Sequence, residues 1–286
     1  METRIINVYN NDALPHKDLK SAWGESFHIT AGDSQILFDV GWKGDILKHN
    51  MKKLGIKPDE IDTLVFSHAH MDHTGGLPTF LKSRDVSTPL TILGHPAVKG
   101  PKGFWGGTGG GAWYYPGGLP NLPKQLRERY LFELTKKPAI VAPNLSTTGE
   151  ITERPEKPGT LRWALHKTPE RWEWDPILDD LSLILQTKNG MVLITGCCHA
   201  GLLNVCKKAT ALFNDRIRAI IGGTHMIAYS KEEIIHIGNV LETRYGSPEL
   251  YLNHCTGKEA IALLKKHFGP DIVQDCHVGT ELTFDG

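Results

Sequence analysis

The stretch SHAHMDHTGG at residues 67–76 carries three histidines and one aspartate within six positions. It follows Leu64, Val65 and Phe66, an apolar run that predicts a buried strand. A strand that delivers imidazole nitrogens and a carboxylate into a tight polar loop can build a rigid metal site. The alternative is a polar loop whose histidines bond to each other or to water, but this density of ligand-type side chains is rare by accident. The stretch therefore predicts a metal site.

The composition is that of an ordinary globular protein, and it argues against several classes of function. The 286 residues are 40% hydrophobic with a formal net charge of zero, which gives no electrostatic reason to expect nucleic-acid binding. No apolar run approaches the length of a membrane span, and the N-terminus lacks the apolar core of a signal peptide. The five cysteines are an odd number confined to the last third of the chain, which predicts a reducing, cytoplasmic location. We expect a small-molecule substrate, and a homo-oligomer is compatible with the sequence.

The chain alternates between predicted strands and predicted helices, as mixed α/β proteins do. Strands are predicted at 4–9, 26–30, 35–41, 62–67, 89–96, 181–187, 191–195, 218–222 and 250–252, with a closing strand from 271. Helices are predicted at 44–54, 79–83, 124–133, 202–212, 231–242 and 258–268. Ser230 and Glu233 form a predicted capping box at the start of the fifth helix.

Between the two halves lies a stretch of different character, at about residues 100–178. Residues 100–118 are rich in glycine and aromatic side chains, and a loop of this length in a compact domain is usually functional or disordered. An ordered lid or pocket wall and a merely tolerated surface insertion are both compatible with this composition. The aromatic residues that could stack against a flat substrate are Trp105, Trp113, Tyr114, Tyr115, Trp172 and Trp174.

Three later strand exits share one layout, in which an apolar run is followed by a short loop with a histidine and then by a helix. The histidines are His199, His225 and His254. In layered α/β proteins such loops collect along one edge of the sheets, where ligands bind. We therefore expect these three side chains to converge on the loop at 68–73.

These residues together resemble the metallo-β-lactamase superfamily, whose loop motif is His-x-His-x-Asp-His. The resemblance implies an α/β (α+β) fold, a four-layer αβ/βα sandwich, formed by residues 1–286 as a single domain with the insertion at about 100–178. It implies one or two divalent ions, Zn first, with Mn, Fe or Mg as alternatives. Carried over to this chain, one ligand set is His68, His70 and His199, and the other is Asp72, His73 and His254. Asp72 is also the implied catalytic residue, and Asp39 is implied to orient a ligand histidine.

The chain departs from the family at one position. The family usually has an aspartate that bridges the two metals, about two dozen residues after the equivalent of His199. Here His225 stands at that distance, and Cys197 is the alternative occupant. We favour His225 as a metal ligand because the order and spacing of the strand exits fit it better. A neutral imidazole cannot bridge two cations as a carboxylate does, so the number of metals stays open.

The finer motifs TGCCHAG at 195–201, GGTH at 222–225 and NHCTG at 253–257 resemble one subgroup of the superfamily. That subgroup includes a synthase that joins a dihydropterin to a ribofuranosylaminobenzene phosphate. The resemblance implies an enzyme, either a metal-dependent hydrolase or a pterin-transferring synthase that releases diphosphate. Two alternatives are a hydrolase of esters, lactones or phosphoesters and a metal- or ligand-binding sensor without turnover. The residues that bind the substrate are not predicted.

Overall fold

The structure is a computed structural model that describes residues 2–15, 17–85, 87–106, 113–114, 117–159 and 164–286. Its helices are α1 (Gly44–Lys53), α2 (Met71–Thr74), α3 (Leu77–Lys82), α4 (Lys124–Arg129), α5 (Leu202–Phe213), α6 (Lys231–Tyr245) and α7 (Lys258–Phe268). Its strands are β1 (Glu2–Tyr9), β2 (Ser26–Ala31), β3 (Ser34–Phe38), β4 (Thr63–Val65), β5 (Thr91–Gly94), β6 (Lys102–Gly106), β7 (Trp113–Tyr114), β8 (Leu131–Leu134), β9 (Ile140–Ala142), β10 (Leu145–Thr147), β11 (Ala164–Lys167), β12 (Trp172–Trp174), β13 (Ser182–Thr187), β14 (Gly190–Thr195), β15 (Ile217–Gly222), β16 (Glu249–Leu252), β17 (Val273–Asp275) and β18 (Glu281–Asp285). No helix within these ranges combines the length and the apolar character that crossing a membrane requires.

Two large sheets face each other and carry helices on their outer surfaces. The strand order is β18-β1-β2-β3-β4-β5-β8 in the first sheet and β17-β16-β15-β14-β13-β10-β9 in the second. A buried core that includes Phe27, Phe38, Val192 and Ile221 fills the space between them. Helices α1 and α3 pack on the first sheet, and α5, α6 and α7 pack on the second. The predicted four-layer αβ/βα sandwich is therefore confirmed.

The central strands are apolar along their whole length because both of their faces are covered. In β3, Phe38 points into the core between the sheets, whereas the preceding Leu37 packs beneath the helices of the first sheet. In β14, Val192 points into the same core, and Leu193 packs beneath the helices of the second sheet. Continuous apolar runs of this kind are what strands covered on both faces require.

The parallel strands bring the predicted ligand loops to one edge of the sandwich. Strands β3, β4 and β5 are parallel in the first sheet, and β14, β15 and β16 are parallel in the second. In the second sheet, the loops that follow β14, β15 and β16 pack so closely that they leave no space for extra atoms. A Cβ on Gly223 would lie 2.4 Å from the carbonyl oxygen of Gly196 and 2.7 Å from Sγ of Cys255.

The stretch at about 100–178 is built partly into the sandwich. In the described part of this stretch, β12-β11-β6-β7 form a separate sheet, but β8 joins the first large sheet and β9 and β10 join the second. The division of the chain into one domain with one insertion stays a prediction. The side chains of Trp105, Trp113 and Tyr114, and the whole of Tyr115, lie outside the described residues.

The predicted helix at 124–133 is wrong beyond Arg129. The backbone of Tyr130 is extended, and β8 then pairs in parallel with β5, Leu131 opposite Thr91. The strand gains hydrogen bonds along the edge of an existing sheet, and this long-range pairing outweighs the local preference for helix. The capping box of Ser230 and Glu233 is confirmed, since both of its hydrogen bonds are formed.

We expect Gly223→Ala to lower the free energy of unfolding by about 1–3 kcal/mol, because the new methyl group would overlap main-chain and sulfur atoms. Gly94→Ala is the matched control, since a Cβ there would meet no atom closer than 3.6 Å. Urea denaturation of the two variants measures the difference. Equal stability of the two variants would contradict the close packing of the loops that follow β14, β15 and β16.

Candidate metal centre

The first ligand set is formed by two histidines of the loop after β4 and one from the loop after β14. Nε2 of His68 lies 3.0 Å from Nδ1 of His70. The ring of His199 lies 4.7 Å from each of the other two rings, measured between centroids. All three side chains are buried, and one nitrogen from each lies within 4.8 Å of the others. The structure thus brings together the three residues of this predicted set.

The second ligand set combines Asp72 and His73 of the short helix α2 with His254 after β16. Nε2 of His73 lies 3.2 Å from Nε2 of His254 and 3.8 Å from Oδ2 of Asp72. Nε2 of His254 lies 3.3 Å from the same carboxylate oxygen. Residues from the two sheets therefore meet here, as the sequence predicted.

The donor atoms of both sets fit a divalent ion. A tetrahedral zinc ion with zinc–nitrogen distances of about 2.0–2.1 Å separates its nitrogen ligands by about 3.3 Å. The separations of 3.0 Å in the first set and 3.2 Å in the second are close to this spacing. Imidazole and carboxylate donors suit zinc, manganese and iron alike. The arrangement can hold one or two such ions at the edge of the sandwich.

A buried network orients the ligand rings from behind. Oδ2 of Asp39 lies 2.7 Å from Nδ1 of His73 and accepts a hydrogen bond of 2.6 Å from the Ser67 hydroxyl. The same hydroxyl lies 2.9 Å from Nδ1 of His68, and Oδ1 of Asn11 lies 3.1 Å from Nδ1 of His254. With Nδ1–H bound in this way, each of the three rings keeps the lone pair of Nε2 for an ion. The contact with His73 is the one expected for Asp39.

Burial keeps the first ligand set neutral. Together with the charge that each neighbouring ring would carry, it lowers the pKa of His68 and of His199 well below the ordinary value. Burial likewise lowers the pKa of His70 to about 3. A neutral imidazole is the form that binds a metal, so this set need not lose protons before an ion binds.

The second ligand set is charged in the metal-free protein. Burial by itself would lower the pKa of His73, but the carboxylates of Asp72 and Asp39 outweigh it and raise this pKa to about 9. Burial by itself would raise the pKa of Asp72, but His73 and His254 outweigh it and lower that pKa. The set therefore contains an ion pair, and an ion that binds there must displace the proton of His73.

Several residues of the centre have a backbone in the left-handed region, which is unfavourable for side chains other than glycine. They are Asp39, Cys198, His225 and His254, with φ of 62°, 57°, 50° and 46°. Strain of this kind costs on the order of 1–3 kcal/mol at each position and clusters at functional sites. The fold therefore holds these side chains in place against a local preference for another conformation.

His225 reaches the same edge but joins neither of the two sets. Its donor atoms group with the sulfurs of Cys197 and Cys255, and its ring centroid lies 4.3 Å from that of His199. Among the described residues, no side chain or main-chain group forms a hydrogen bond with either nitrogen of the His225 ring. Sγ of Cys197 lies 3.1 Å from Nε2 of His73. The role of His225 as a ligand stays a prediction.

A cavity of about 390 Å³ opens onto both ligand sets. Trp23, Trp42 and Phe104 form its aromatic walls, and His225 lies at its base. The sequence analysis missed these three aromatic residues. Trp42 follows the exit of β3, so the argument that found the histidines could also have found Trp42, whereas nothing local singles out Trp23.

The aromatic residues expected to line the site do not do so where their side chains are described. Trp172 and Trp174 lie on β12, outside the lining of the cavity, and Trp174 is 54% exposed. Phe104 on β6 is the side chain from the glycine-rich region that the structure places in the wall. The positions of these aromatic residues near glycines in the sequence did not predict which rings line the cavity.

A buried ion-pair cluster behind the first ligand set also escaped prediction. Nζ of Lys102 lies 2.6 Å from carboxylate oxygens of both Asp175 and Asp179. The other oxygen of Asp179 accepts a hydrogen bond of 2.9 Å from the main-chain N–H of Ala69, between two ligand histidines. These residues are far apart in the sequence, and no local pattern connects them.

We expect Asp39→Asn to weaken metal binding by about 10–100-fold, because the amide is a poorer acceptor for Nδ1–H of His73. Titration of the metal-free protein with zinc and a competing chelator measures the affinity. Asp45→Asn on the exposed face of α1 is the matched control and should bind zinc as the unmodified protein does. Unchanged affinity in Asp39→Asn would contradict the orienting contact.

The three histidines of the first ligand set should destabilise the metal-free protein as the pH falls below about 6.5. The unfolded chain binds protons on its histidines there, whereas His68, His70 and His199 stay neutral in the fold, His70 down to a pH of about 3. Each such group lowers the free energy of unfolding by up to about 1.4 kcal/mol per pH unit on acidification. His73, Glu25 and Asp180 have pKa values that are raised in the fold, so their contributions to stability change with pH in the opposite direction.

Urea denaturation of chelator-treated protein at pH 7 and pH 5 measures this pH dependence. His70→Asn should make it shallower, whereas His236→Asn on the exposed surface of α6 should leave it unchanged. The same pH dependence in His70→Asn as in the unmodified protein would contradict the burial of His70 in the neutral form.

Comparisons with known proteins agree with this geometry. The model of the metallo-β-lactamase superfamily matches residues 25–149. The 7,8-dihydropterin-6-methyl-4-(β-D-ribofuranosyl)-aminobenzene-5'-phosphate synthase of Methanocaldococcus jannaschii is 28% identical over 267 residues, which cover 87% of this chain and 84% of that protein.

Two solved structures share the fold. One, described as a metal-dependent hydrolase of the β-lactamase superfamily, has a TM-score of 0.80 at 24% identity and covers 98% of both chains. The other, the metallo-β-lactamase fold protein YhfI from Bacillus subtilis, has a TM-score of 0.57 at 14% identity and covers 99% of both. The family model thus matches the part of the chain that carries the ligand loop, and the chain as a whole has the metallo-β-lactamase fold.

Proposed function

We propose that this enzyme joins a dihydropterin, through its 6-methylene group, to a ribofuranosylaminobenzene phosphate, with diphosphate as the leaving group. The proposal takes its substrate class from the name of the Methanocaldococcus jannaschii synthase, which this chain resembles over most of its length. The observation in the structure that carries it is a pair of cavities that share walls beside the ligand sets. A reaction between two substrates needs two such spaces, one for each reactant.

The smaller cavity suits the pterin. Its aromatic walls, Trp23, Trp42 and Phe104, offer flat surfaces for a flat bicyclic ring, and its volume of about 390 Å³ falls in the range of small-molecule sites. The ligand sets lie at its base, so a ring held between these walls directs its 6-methylene substituent toward them. Side chains that fix the ring also exclude water from the reacting carbon.

The larger cavity suits the second substrate. It has a volume of about 760 Å³ and shares Trp23 and His254 with the first. Lys258 and Lys265 line it and offer ammonium groups to a 5'-phosphate, although each also pairs with an aspartate. An aryl amine bound here would meet the pterin where the two cavities share their walls.

The two ligand sets, His68, His70 and His199 with Asp72, His73 and His254, are the residues we propose to hold the ions, and Asp39 orients His73. A divalent ion held there would neutralise the charge of the diphosphate and so make it a better leaving group. We propose zinc first, with manganese, iron or magnesium as alternatives. The five cysteines are buried free thiols, which is consistent with the reducing, cytoplasmic location that we propose.

The reaction also needs a group that removes a proton from the aryl amine when its nitrogen bonds to the methylene carbon. We propose His225 for this task, because its buried ring lines the pterin cavity. Among described residues, neither ring nitrogen has a hydrogen-bond partner, so either can accept the proton. Asp72 contributes the negative charge that holds an ion beside the leaving group.

Incubating the purified protein with 6-hydroxymethyl-7,8-dihydropterin diphosphate and ribofuranosylaminobenzene phosphate should yield the joined product and diphosphate in equal amounts, as measured by mass spectrometry. Chelation of metals should abolish the reaction. His68→Ala and Asp72→Asn should lower kcat/KM by at least about 100-fold, since each removes an ion ligand. His236→Ala on the exposed surface is the matched control and should retain full activity.

Three outcomes would contradict the proposal. Release of phosphate or diphosphate without the joined product would indicate a hydrolase of phosphoesters. Tight metal binding without turnover of either substrate would favour a sensor. Full activity in both His68→Ala and Asp72→Asn would show that the catalytic site lies elsewhere.

A further inference from the structure

The sulfur of Cys197 lies between the two ligand sets. Cys197 is two residues beyond the end of β14 and is 2% exposed. Its Sγ groups within 4.8 Å of donor atoms of both His68 and His73, one from each set. It lies 3.1 Å from Nε2 of His73, the nitrogen that faces the second set. A ligand that bridges two ions must occupy a position of this kind.

Two nearby carboxylates outside the two sets, Asp39 and Asp179, are bound to other groups. Asp39 accepts hydrogen bonds from the main chain and hydroxyl of Ser67 and lies against Nδ1 of His73. Asp179 accepts from Lys102 and from the main-chain N–H of Ala69. Neither can turn toward the ions without leaving a buried donor unpaired, which costs about 1–3 kcal/mol. A thiol at Cys197 is not held in this way and becomes an anionic ligand when it loses its proton.

Cys255 differs from Cys197 in how its sulfur is used. Its Sγ accepts a hydrogen bond of 3.3 Å from the main-chain N–H of His225 and donates one of 3.6 Å to the carbonyl oxygen of Cys197. The sulfur of Cys255 thus links the two loops that carry Cys197 and His225. Among the described residues it groups with Cys197 and His225 but with no residue of the two ligand sets, so it does not lie between them.

We propose that Cys197 binds as a thiolate between the two ligand sets and so takes the place of the bridging aspartate expected from the family resemblance. To hold an ion there, the thiol would release one proton to solvent and the sulfur would supply lone pairs as an anionic ligand. His225 stays outside both sets and remains free to act on the substrate. The inference rests on the proposed metal dependence of the enzyme.

Cobalt(II) bound to the chelator-treated protein tests the assignment without any need for turnover. A thiolate ligand gives an intense sulfur-to-cobalt charge-transfer band in the near ultraviolet, which nitrogen and oxygen ligands do not give. We expect this band in the unmodified protein and its loss in Cys197→Ser. Cys255→Ser and His225→Gln are matched controls that each change one neighbour of Cys197, and both should retain the band.

X-ray absorption of the zinc-loaded unmodified protein is a second test that requires no variant. We expect a zinc–sulfur distance of about 2.3 Å beside the shorter distances to nitrogen and oxygen. Should Cys197→Ser fail to fold, the same measurement on Cys255→Ser decides, because the sulfur must persist there.

The possible results separate the two proposals. Metal binding without any sulfur ligand, or a charge-transfer band that persists in Cys197→Ser, would overturn the inference and leave the metal-dependent function intact. A folded protein that binds neither zinc nor cobalt would overturn both.

Discussion

The carboxylate of Asp39 is the constraint on which the centre depends. It is fully buried, and it bonds at once to the main chain of Ser67, the hydroxyl of Ser67 and the ring of His73. The backbone of Asp39 is in the left-handed region. The residue that faces its carboxylate from the opposite sheet is Gly196, where a Cβ would lie 3.3 Å from Oδ2 of Asp39. A buried carboxylate is costly unless all of its contacts are satisfied, so the loop after β4 and the exit of β14 must be positioned together.

The two ligand sets differ in charge, which affects how an ion would approach them. The first set is three neutral imidazoles in a buried environment, and the second contains the carboxylate of Asp72 beside a protonated His73. A cation is attracted electrostatically by the second set but must displace a proton there, whereas the first set offers lone pairs without that exchange. The superfamily match alone does not predict this difference in charge. It arises because the carboxylates of Asp39 and Asp72 both lie close to the ring of His73.

The sequence predicted the fold and which side chains meet at its edge, because the informative residues lie near one another or at repeated positions. His68 to His73 form a local motif, and His199 and His254 follow apolar strands whose ends meet at one edge of parallel sheets. The rest depended on long-range geometry. Whether Cys197 or His225 faces the ions is decided by backbone conformation and by how the loops pack, and no spacing in the sequence encodes that.

The aromatic walls of the cavity and the end of the helix predicted at 124–133 also depend on long-range contacts that the local sequence does not show. Trp23 and Phe104 are 81 positions apart, and they line one cavity because two separate elements pass the same edge. The helix ends at Arg129 because the residues that follow pair with β5. The sequence of residues 124–133 does not show that this partner strand is available. Local secondary-structure propensity depends on nearby residues, so it cannot predict either of these long-range contacts.

The cluster of Lys102, Asp175 and Asp179 connects the wall of the cavity with the loop that carries two ligand histidines. Lys102 is two residues before Phe104 in the cavity wall, and Asp179 is bonded to the N–H between two ligand histidines. A substrate that pressed on Phe104 would act on β6 and, through one buried ion pair, on the loop that carries His68 and His70. Any change in ion affinity transmitted in this way would be matched by an equal change in substrate affinity.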